Sequence, residues 1–204
     1  MGMSAEHPQV EFYFDAACPW CWMTSRWAAE VAEARGFEID WKPVSLKIIN
    51  EGNDISEAYA AMVAVAHGTC RIVQAAAESG GNEAVGRLYT ELGNRIHPGG
   101  RKDTDAILAE SLAAAGLDAA LVEAAGDERF DAELRANTEH ALKIAGPDVG
   151  VPIISIDGVA FFGPVVTPAP TGETALRLWD GIHAAASVPG FYELKRGRTE
   201  GPKY

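Results

Sequence analysis

Residues 10–21 of this 204-residue chain read VEFYFDAACPWC, an apolar run followed closely by two thiols. The segment Val10–Phe14 predicts a strand, and the segment that follows the second thiol, Trp22–Val31, predicts a helix. Cys18 therefore falls at the N-terminal end of that helix, where unpaired backbone N–H groups and the helix dipole favour a thiolate. Because Cys21 lies one turn further along, it is placed to attack a mixed disulfide formed on Cys18.

A Cys-x-x-Cys pair at a strand-to-helix junction is typical of a redox dithiol whose first thiol has a lowered pKa. Half of a zinc site and a pair of buried structural cysteines are the other interpretations. Zinc sites usually need two more Cys or His ligands at close spacing, and the chain offers Cys70 and five scattered histidines. Pro19 occupies a favoured helix-start position, which fits a helix that begins at the dithiol. We therefore predict that Cys18 and Cys21 are catalytic, and we predict no metal site.

Composition limits the class of protein. A length of 204 residues with 48% hydrophobic content suits one domain, or one domain with a large insertion. A formal net charge of −12 argues against nucleic acid and against an anionic membrane surface as partners. The first nine residues lack a secretory pattern, and the longest clean apolar run, Ala58–Ala66, is too short to cross a bilayer. We therefore expect a cytoplasmic protein, where thiols stay reduced and a dithiol favours a reductase.

Local patterns divide the chain into four predicted segments. Strand character at residues 10–14 and 37–44 flanks the dithiol helix, whereas the middle is rich in Ala, Glu and Leu with repeated helix start and stop signals. Strand character returns at 151–156, and Asp157-Gly158 predicts a type I′ hairpin turn. The order β-α-β, helical insertion, β-β-α predicts an α/β thioredoxin fold. The segments are residues 8–55 (first half with the dithiol), 56–146 (all-helical insertion), 147–190 (second half) and 191–204 (irregular tail).

The dithiol, the helical insertion and Gly150-Val151-Pro152 before a hairpin together resemble the DsbA-like branch of the thioredoxin superfamily. The resemblance implies that Pro152 follows a cis peptide bond and faces the dithiol. A proline there has no N–H and cannot extend the sheet, so the Val151 backbone would line a groove in which a substrate segment pairs as an extra strand.

A narrower resemblance is carried by four stretches: CPWCWMTSRW at 18–27, GNRIH at 93–97, GVAFFGP at 158–164 and FYELKR at 191–196. They are similar to an actinobacterial cytosolic subgroup of mycothiol-dependent reductases that also reduce certain nitroaromatic compounds. The resemblance implies no tightly bound cofactor, with mycothiol as the electron-donating co-substrate and low-molecular-weight thiols and disulfides as partners. Cys70 matches no motif of that family, and we predict a buried thiol there, with an extra redox site as the alternative.

Four further residues are site candidates with ordinary alternatives. Trp20 either stacks on a flat substrate or shields the disulfide, or it is a partly exposed surface aromatic. Asn50 either binds a ligand or, as favoured here, caps a turn. His97 either stabilises the Cys18 thiolate or closes a helix C-terminus, which is the more common role. Asp15 is predicted to cap a turn, because an acid beside Cys18 would raise the pKa of the thiol.

Three other functions remain open at this stage. The chain could be a protein disulfide oxidant or isomerase of the DsbA type. It could also belong to the related isomerase and kappa glutathione transferase branch, although those members typically carry Ser where Cys18 stands and lack the second Cys. A non-enzymatic holdase or binding module with an apolar groove beside the dithiol is the third alternative. The sequence does not indicate an oligomeric state.

Overall fold

The computed structural model describes residues 7–204, which form a central four-stranded mixed sheet covered by helices. The strands lie in the order β2-β1-β3-β4; β1 is parallel to β2 and antiparallel to β3, and β3 is antiparallel to β4. The parallel pair requires a crossover connection, which the dithiol helix supplies. The strands are β1 (Val10–Phe14), β2 (Ile39–Pro43), β3 (Ile153–Ile156) and β4 (Val159–Phe162).

The dithiol helix, α1, runs from Pro19 to Arg35 and ends at Gly36, whose φ of 75° lies in the left-handed region that favours glycine. This turn reverses the chain toward β2. On its other side, α1 packs against the last helix, α6 (Gly172–Ala186), and the indole N–H of Trp27 donates to the Ala175 carbonyl at 3.0 Å. Since Trp27 is fully buried, the contact fixes α1 against the second half of the fold.

The residues between β2 and β3 are mainly helical, and the pair Gly80-Gly81 does not end a helix but lies at a kink within one long helix. Gly81 has φ 66° and ψ −163°, so the backbone leaves helical geometry there and resumes it immediately. The side chains of Asp118 and Asp127 cap the starts of two 3₁₀ helices. The elements are α2 (Leu46–Ile49), α3 (Glu57–Ile96), α4 (Thr104–Ala114), two 3₁₀ helices (Ala119–Gly126 and Glu128–Phe130) and α5 (Asp131–Ala145).

One helix, α3, is long and apolar enough to cross a membrane by length and composition, but 56% of its most apolar window is buried within the protein. Its fully buried residues include Val85, Leu88, Tyr89 and Leu92, which belong to the main hydrophobic core. These buried apolar side chains of α3 therefore belong to the core of the protein.

The predicted hairpin is present, with φ of 50° at Asp157 and 83° at Gly158, as a type I′ turn requires. The predicted strand 151–156 was too long, since β3 begins at Ile153. Pro152 has no N–H to give to the ladder, and its carbonyl accepts from the Gly163 N–H at 2.7 Å. The tail, residues 191–204, has no regular secondary structure.

Candidate dithiol active site

Cys18 is the N-cap residue of α1, with an extended backbone (φ −80°, ψ 115°). Its sulfur accepts a hydrogen bond from the Cys21 backbone N–H at 3.4 Å, in the way that a capping oxygen usually does. Pro19 occupies the first helical turn, where its missing N–H costs nothing. The helix terminus thus presents its free N–H groups to the Cys18 sulfur.

The two thiols differ in pKa and in exposure. The pKa of Cys18 is lowered, chiefly because the Cys21 thiol donates a hydrogen bond to its sulfur; backbone N–H groups act in the same direction, against burial and the Asp15 charge. The pKa of Cys21 is raised well above its ordinary value, chiefly by burial. Cys18 is 6% exposed and Cys21 is 0% exposed. Cys18 is therefore the thiol that both ionises first and reaches the surface.

The segment before β3 lies directly against Cys18. The Cys18 thiol donates to the Val151 carbonyl oxygen at 3.6 Å, and Val151 and Pro152 are both buried. The Val151–Pro152 peptide bond is cis. Once Cys18 ionises, its sulfur can no longer donate a hydrogen bond to the Val151 carbonyl oxygen.

Beneath the dithiol lies a buried carboxyl group. Asp15 is 1% exposed and accepts from the backbone N–H groups of Ala17 and Leu46, each at 2.9 Å. The Leu46 bond satisfies the start of α2, so Asp15 does cap a turn and a helix as predicted. Burial raises the pKa of Asp15, and its charge in turn raises the pKa of Cys18.

Cys70 is a core thiol. It is 2% exposed, and its sulfur donates to the Val44 carbonyl at 3.2 Å. Burial and the neighbouring Asp15 raise its pKa well above the ordinary value. The structure therefore confirms the predicted burial of Cys70, and a buried, protonated thiol is a poor nucleophile.

Asn50 ends α2 and donates from Nδ2 to the Leu46 carbonyl at 2.8 Å, which matches the favoured turn-capping prediction. The same side chain lies beside the Tyr59 hydroxyl. Burial and the charge of a Cys18 thiolate both raise the pKa of Tyr59. Tyr59 therefore lies in the electrostatic field of the dithiol, a placement that sequence analysis missed; the available signal was a single aromatic residue in the Ala-rich first turn of α3.

His97 lies beside the dithiol loop, but its Nε2 hydrogen does not point at a sulfur. It donates to the Ala16 carbonyl at 2.9 Å, and the ring stacks on Trp22 with centroids 5.9 Å apart. His97 is 6% exposed, and burial lowers its pKa. Nε2 of His97 is therefore bonded to the backbone that precedes Cys18 and not to a sulfur. The backbone N–H of His97 donates to the Gly93 carbonyl and closes α3, which matches the more common role predicted for this residue.

Trp20 is partly buried, and the guanidinium carbon of Arg198 lies 5.1 Å from the centre of its ring. Tyr204, the last residue of the chain, packs against His97 with ring centroids 5.8 Å apart. The sequence of residues 191–204 predicts only an irregular tail, and neither contact is predicted from it. Nothing in the local pattern of Arg198 or Tyr204 distinguishes them from other tail residues.

The arrangement can carry out thiol–disulfide exchange: a nucleophilic thiol at a helix N-terminus, a buried thiol one turn away, and a backbone carbonyl at the entrance. Within residues 7–204, no group of three or more His, Cys, Asp or Glu side chains is arranged to hold a metal ion.

The chain is similar to known proteins both in sequence and in fold. Residues 17–196 match the model of a family described as Rv2466c-like, mycothiol-dependent nitroreductase Rv2466c. The chain is also 31% identical over 192 residues to a Mycobacterium tuberculosis protein described as uncharacterized protein Rv2286c, covering 93% of this chain and 82% of that protein.

Solved structures show the same fold at low sequence identity. The probable DsbA oxidoreductase SCO1869 from Streptomyces coelicolor superposes with a TM-score of 0.60 at 20% identity, covering 96% of each chain. A 2-hydroxychromene-2-carboxylate isomerase superposes with a TM-score of 0.59 at 16% identity, covering 86% of this chain and 93% of that chain. The predicted thioredoxin fold with a DsbA-like helical insertion is thereby confirmed.

Proposed function

The chain belongs to the Rv2466c-like family, and we propose that it is a mycothiol-dependent reductase that reduces small disulfides through Cys18 and Cys21. Membership of this family and the DsbA-like fold make it a thiol–disulfide oxidoreductase. We further propose mycothiol as the thiol donor, electron flow from the dithiol to the substrate, and specific roles for individual residues.

The observation that carries the proposal is the asymmetry between the two thiols. The pKa of Cys18 is lowered while that of Cys21 is raised, and Cys18 is the more exposed of the two. An attacking thiol must be ionised and reachable, whereas a resolving thiol must stay protonated until a mixed disulfide forms beside it. The geometry supports Cys18 as the attacking thiolate and Cys21 as the resolving thiol.

The reaction begins when the Cys18 thiolate attacks one sulfur of a substrate disulfide. A Cys18–substrate disulfide forms, and the other half of the substrate leaves as a thiolate and takes up a proton. The Cys21 thiol, having lost its proton, then attacks the Cys18 sulfur. The second half of the substrate leaves as a thiol, and the Cys18–Cys21 disulfide remains, so the protein loses two electrons and the substrate gains them.

Two mycothiol molecules would restore the dithiol by two exchange steps and leave as mycothiol disulfide. The family description also names nitroreductase activity. A dithiol can supply the two electrons and two protons that convert a nitro group to a nitroso group and water, and the same Cys18–Cys21 disulfide results. We place both reactions in the cytoplasm, where low-molecular-weight thiols keep such dithiols reduced.

NADPH consumption tests the proposal in a reconstituted chain of mycothiol, its NADPH-dependent disulfide reductase, this protein and a mixed-disulfide substrate. We expect flux that requires the dithiol and is lost in Cys18→Ser. In the absence of mycothiol, Cys21→Ser is expected to accumulate a mixed disulfide on Cys18 that mass spectrometry detects.

Cys70→Ser is the matched control, because it removes a thiol that is buried away from the surface; we expect its flux to persist. Full activity in Cys18→Ser would overturn the assignment of the attacking thiol. Absence of flux from the intact dithiol would point instead to an oxidising role of the DsbA type.

A further inference from the structure

The tail follows a defined course across the protein. Phe191 packs edge-to-face on Phe161 of β4, with ring centroids 5.8 Å apart and an interplanar angle of 76°. Near the other end, the Thr167 hydroxyl accepts from the Lys203 backbone N–H at 2.7 Å and donates to the Gly201 carbonyl at 3.4 Å. Both ends of the tail are therefore attached to the segment that follows β3.

Two further residues of the tail contact side chains next to the dithiol. Arg198 lies over Trp20, the residue between the two cysteines, in a cation–π contact. Tyr204 packs against His97, which in turn holds the Ala16 carbonyl two residues before Cys18. Partial burial and the charge of a Cys18 thiolate both raise the pKa of Tyr204.

The contacts are specific to part of the tail. Tyr204 is 57% exposed, whereas Tyr192, which belongs to the same irregular segment, is 86% exposed and Leu194 is 91% exposed. Tyr204 is thus better covered than Tyr192 and Leu194.

These contacts bear on what can reach Cys18, which is itself 6% exposed. A protein substrate would have to lay an extended segment beside Val151, and such strand addition requires a clear path on both sides of the sulfur. A small disulfide needs only to bring one sulfur to the opening. Arg198 lies over the Trp20 ring and Tyr204 packs on His97, so both tail residues lie next to the residues that adjoin Cys18.

We propose that Arg198 and Tyr204 form the outer wall of the dithiol site and restrict its substrates to small disulfides, excluding extended protein segments. This rests on the proposed function and deepens it, because it assigns the choice of substrate class to the C-terminal tail. The substrate class is a disulfide between low-molecular-weight thiols, or between one such thiol and a compact acceptor.

Alkylation of the reduced full-length protein tests the wall directly, because it requires the Cys18 thiolate but no turnover. The rate with iodoacetamide is compared with the rate with a polyethylene-glycol maleimide. In the double variant Arg198→Ala/Tyr204→Ala, we expect the rate with the bulky reagent to rise about tenfold relative to iodoacetamide, a change equivalent to about 1.4 kcal/mol.

The matched control is Arg196→Ala/Tyr192→Ala, which removes the same two residue types from exposed positions of the same tail; its rate ratio should equal that of the wild type. An unchanged ratio in the Arg198/Tyr204 variant, with an unchanged circular dichroism spectrum, would overturn the proposal. Since alkylation does not depend on mycothiol, that result is distinguishable from a failure of the proposed reductase activity.

Turnover provides the second measurement. With insulin disulfides as the substrate, the double variant should gain activity relative to the wild type, while activity on a small mixed disulfide should stay the same or fall. Equal changes on both substrates would show that the tail does not select between them.

Discussion

The Cys18 thiol lies 3.6 Å from the Val151 carbonyl oxygen, although 133 positions separate the two residues. One residue begins the dithiol helix and the other precedes the hairpin, so the contact joins the two halves of the fold across the helical insertion. The site is therefore complete only when both halves are in place.

Replacing Cys21 by Ala should raise the pKa of Cys18. The hydrogen bond from the Cys21 thiol is the largest cause of the lowered pKa, and alanine cannot supply it. Thiolate ultraviolet absorbance followed against pH measures the shift. Cys21→Ser, which retains a donor, should lie between Cys21→Ala and the wild type; an identical titration in all three would contradict the assignment.

Replacing Asp15 by Asn should lower the pKa of Cys18, because the carboxylate charge raises it. The rate of Cys18 alkylation by iodoacetamide, plotted against pH, should reach half its maximum at a lower pH. Asp105→Asn, a change at an exposed position of α4, serves as the control and should leave the pH dependence of Cys18 alkylation unchanged. A shift of the Asp15→Asn curve to higher pH would refute the electrostatic argument.

The same Asp15→Asn change should also destabilise the fold. One amide oxygen can replace only one of the two carboxylate oxygens that accept from Ala17 and Leu46. A buried N–H left without a partner costs about 1–3 kcal/mol. Urea unfolding of the reduced protein measures the loss, and unchanged stability would show that water or backbone movement compensates.

Replacing Gly93 by Ala should destabilise the protein, because the new Cβ would overlap Cε3 and Cζ3 of the Trp22 ring. The ring is held between α1 and α3 and also stacks on His97, so relief requires movement of the helices. We expect a loss of about 1–3 kcal/mol in the free energy of unfolding.

Gly181 in α6 is the control for that change, since a Cβ there meets no heavy atom within 4 Å. Gly181→Ala should stabilise the protein by about 0.5–1 kcal/mol through higher helix propensity. Equal effects of the two substitutions in thermal unfolding would show that Gly93 is not a close-approach position.

Acid should destabilise the protein through its buried histidines. Burial lowers the pKa of His97 below its ordinary value of 6.5, so the folded state binds fewer protons than the unfolded state. The stability that depends on neutral His97 is complete above pH 6.5 and is lost as the pH falls through 6.5 toward the lower folded pKa. His67, whose pKa is also lowered by burial, contributes in the same direction.

His97→Gln should flatten the fall in thermal unfolding temperature between about pH 7.5 and about pH 5.5, because it removes one titrating group from that range. His183→Gln, at an exposed position of α6, should leave this fall in unfolding temperature unchanged. If the two variants lose stability equally on acidification, His97 is not the group responsible.

Local pattern was sufficient for the elements and for the dithiol. The strand at Val10–Phe14, the helix start at Pro19 and the turn at Asp157-Gly158 each follow from side-chain periodicity or backbone preference within a few residues. Such short-range preferences do not depend on where the segment lies in the fold. The local elements can therefore be predicted from the sequence without the tertiary structure. The chemical character of Cys18 and Cys21 was predictable for the same reason.

Tertiary structure alone decided which distant residues surround the sulfurs. Asp15 reaches Leu46, His97 reaches Ala16, and Arg198 reaches Trp20, in each case through side chains whose neighbours along the chain carry no signal of the contact. These pairings depend on how the helical insertion and the tail pack against the sheet. Packing is a property of the whole chain, because each of these contacts requires that other elements hold two distant residues next to each other.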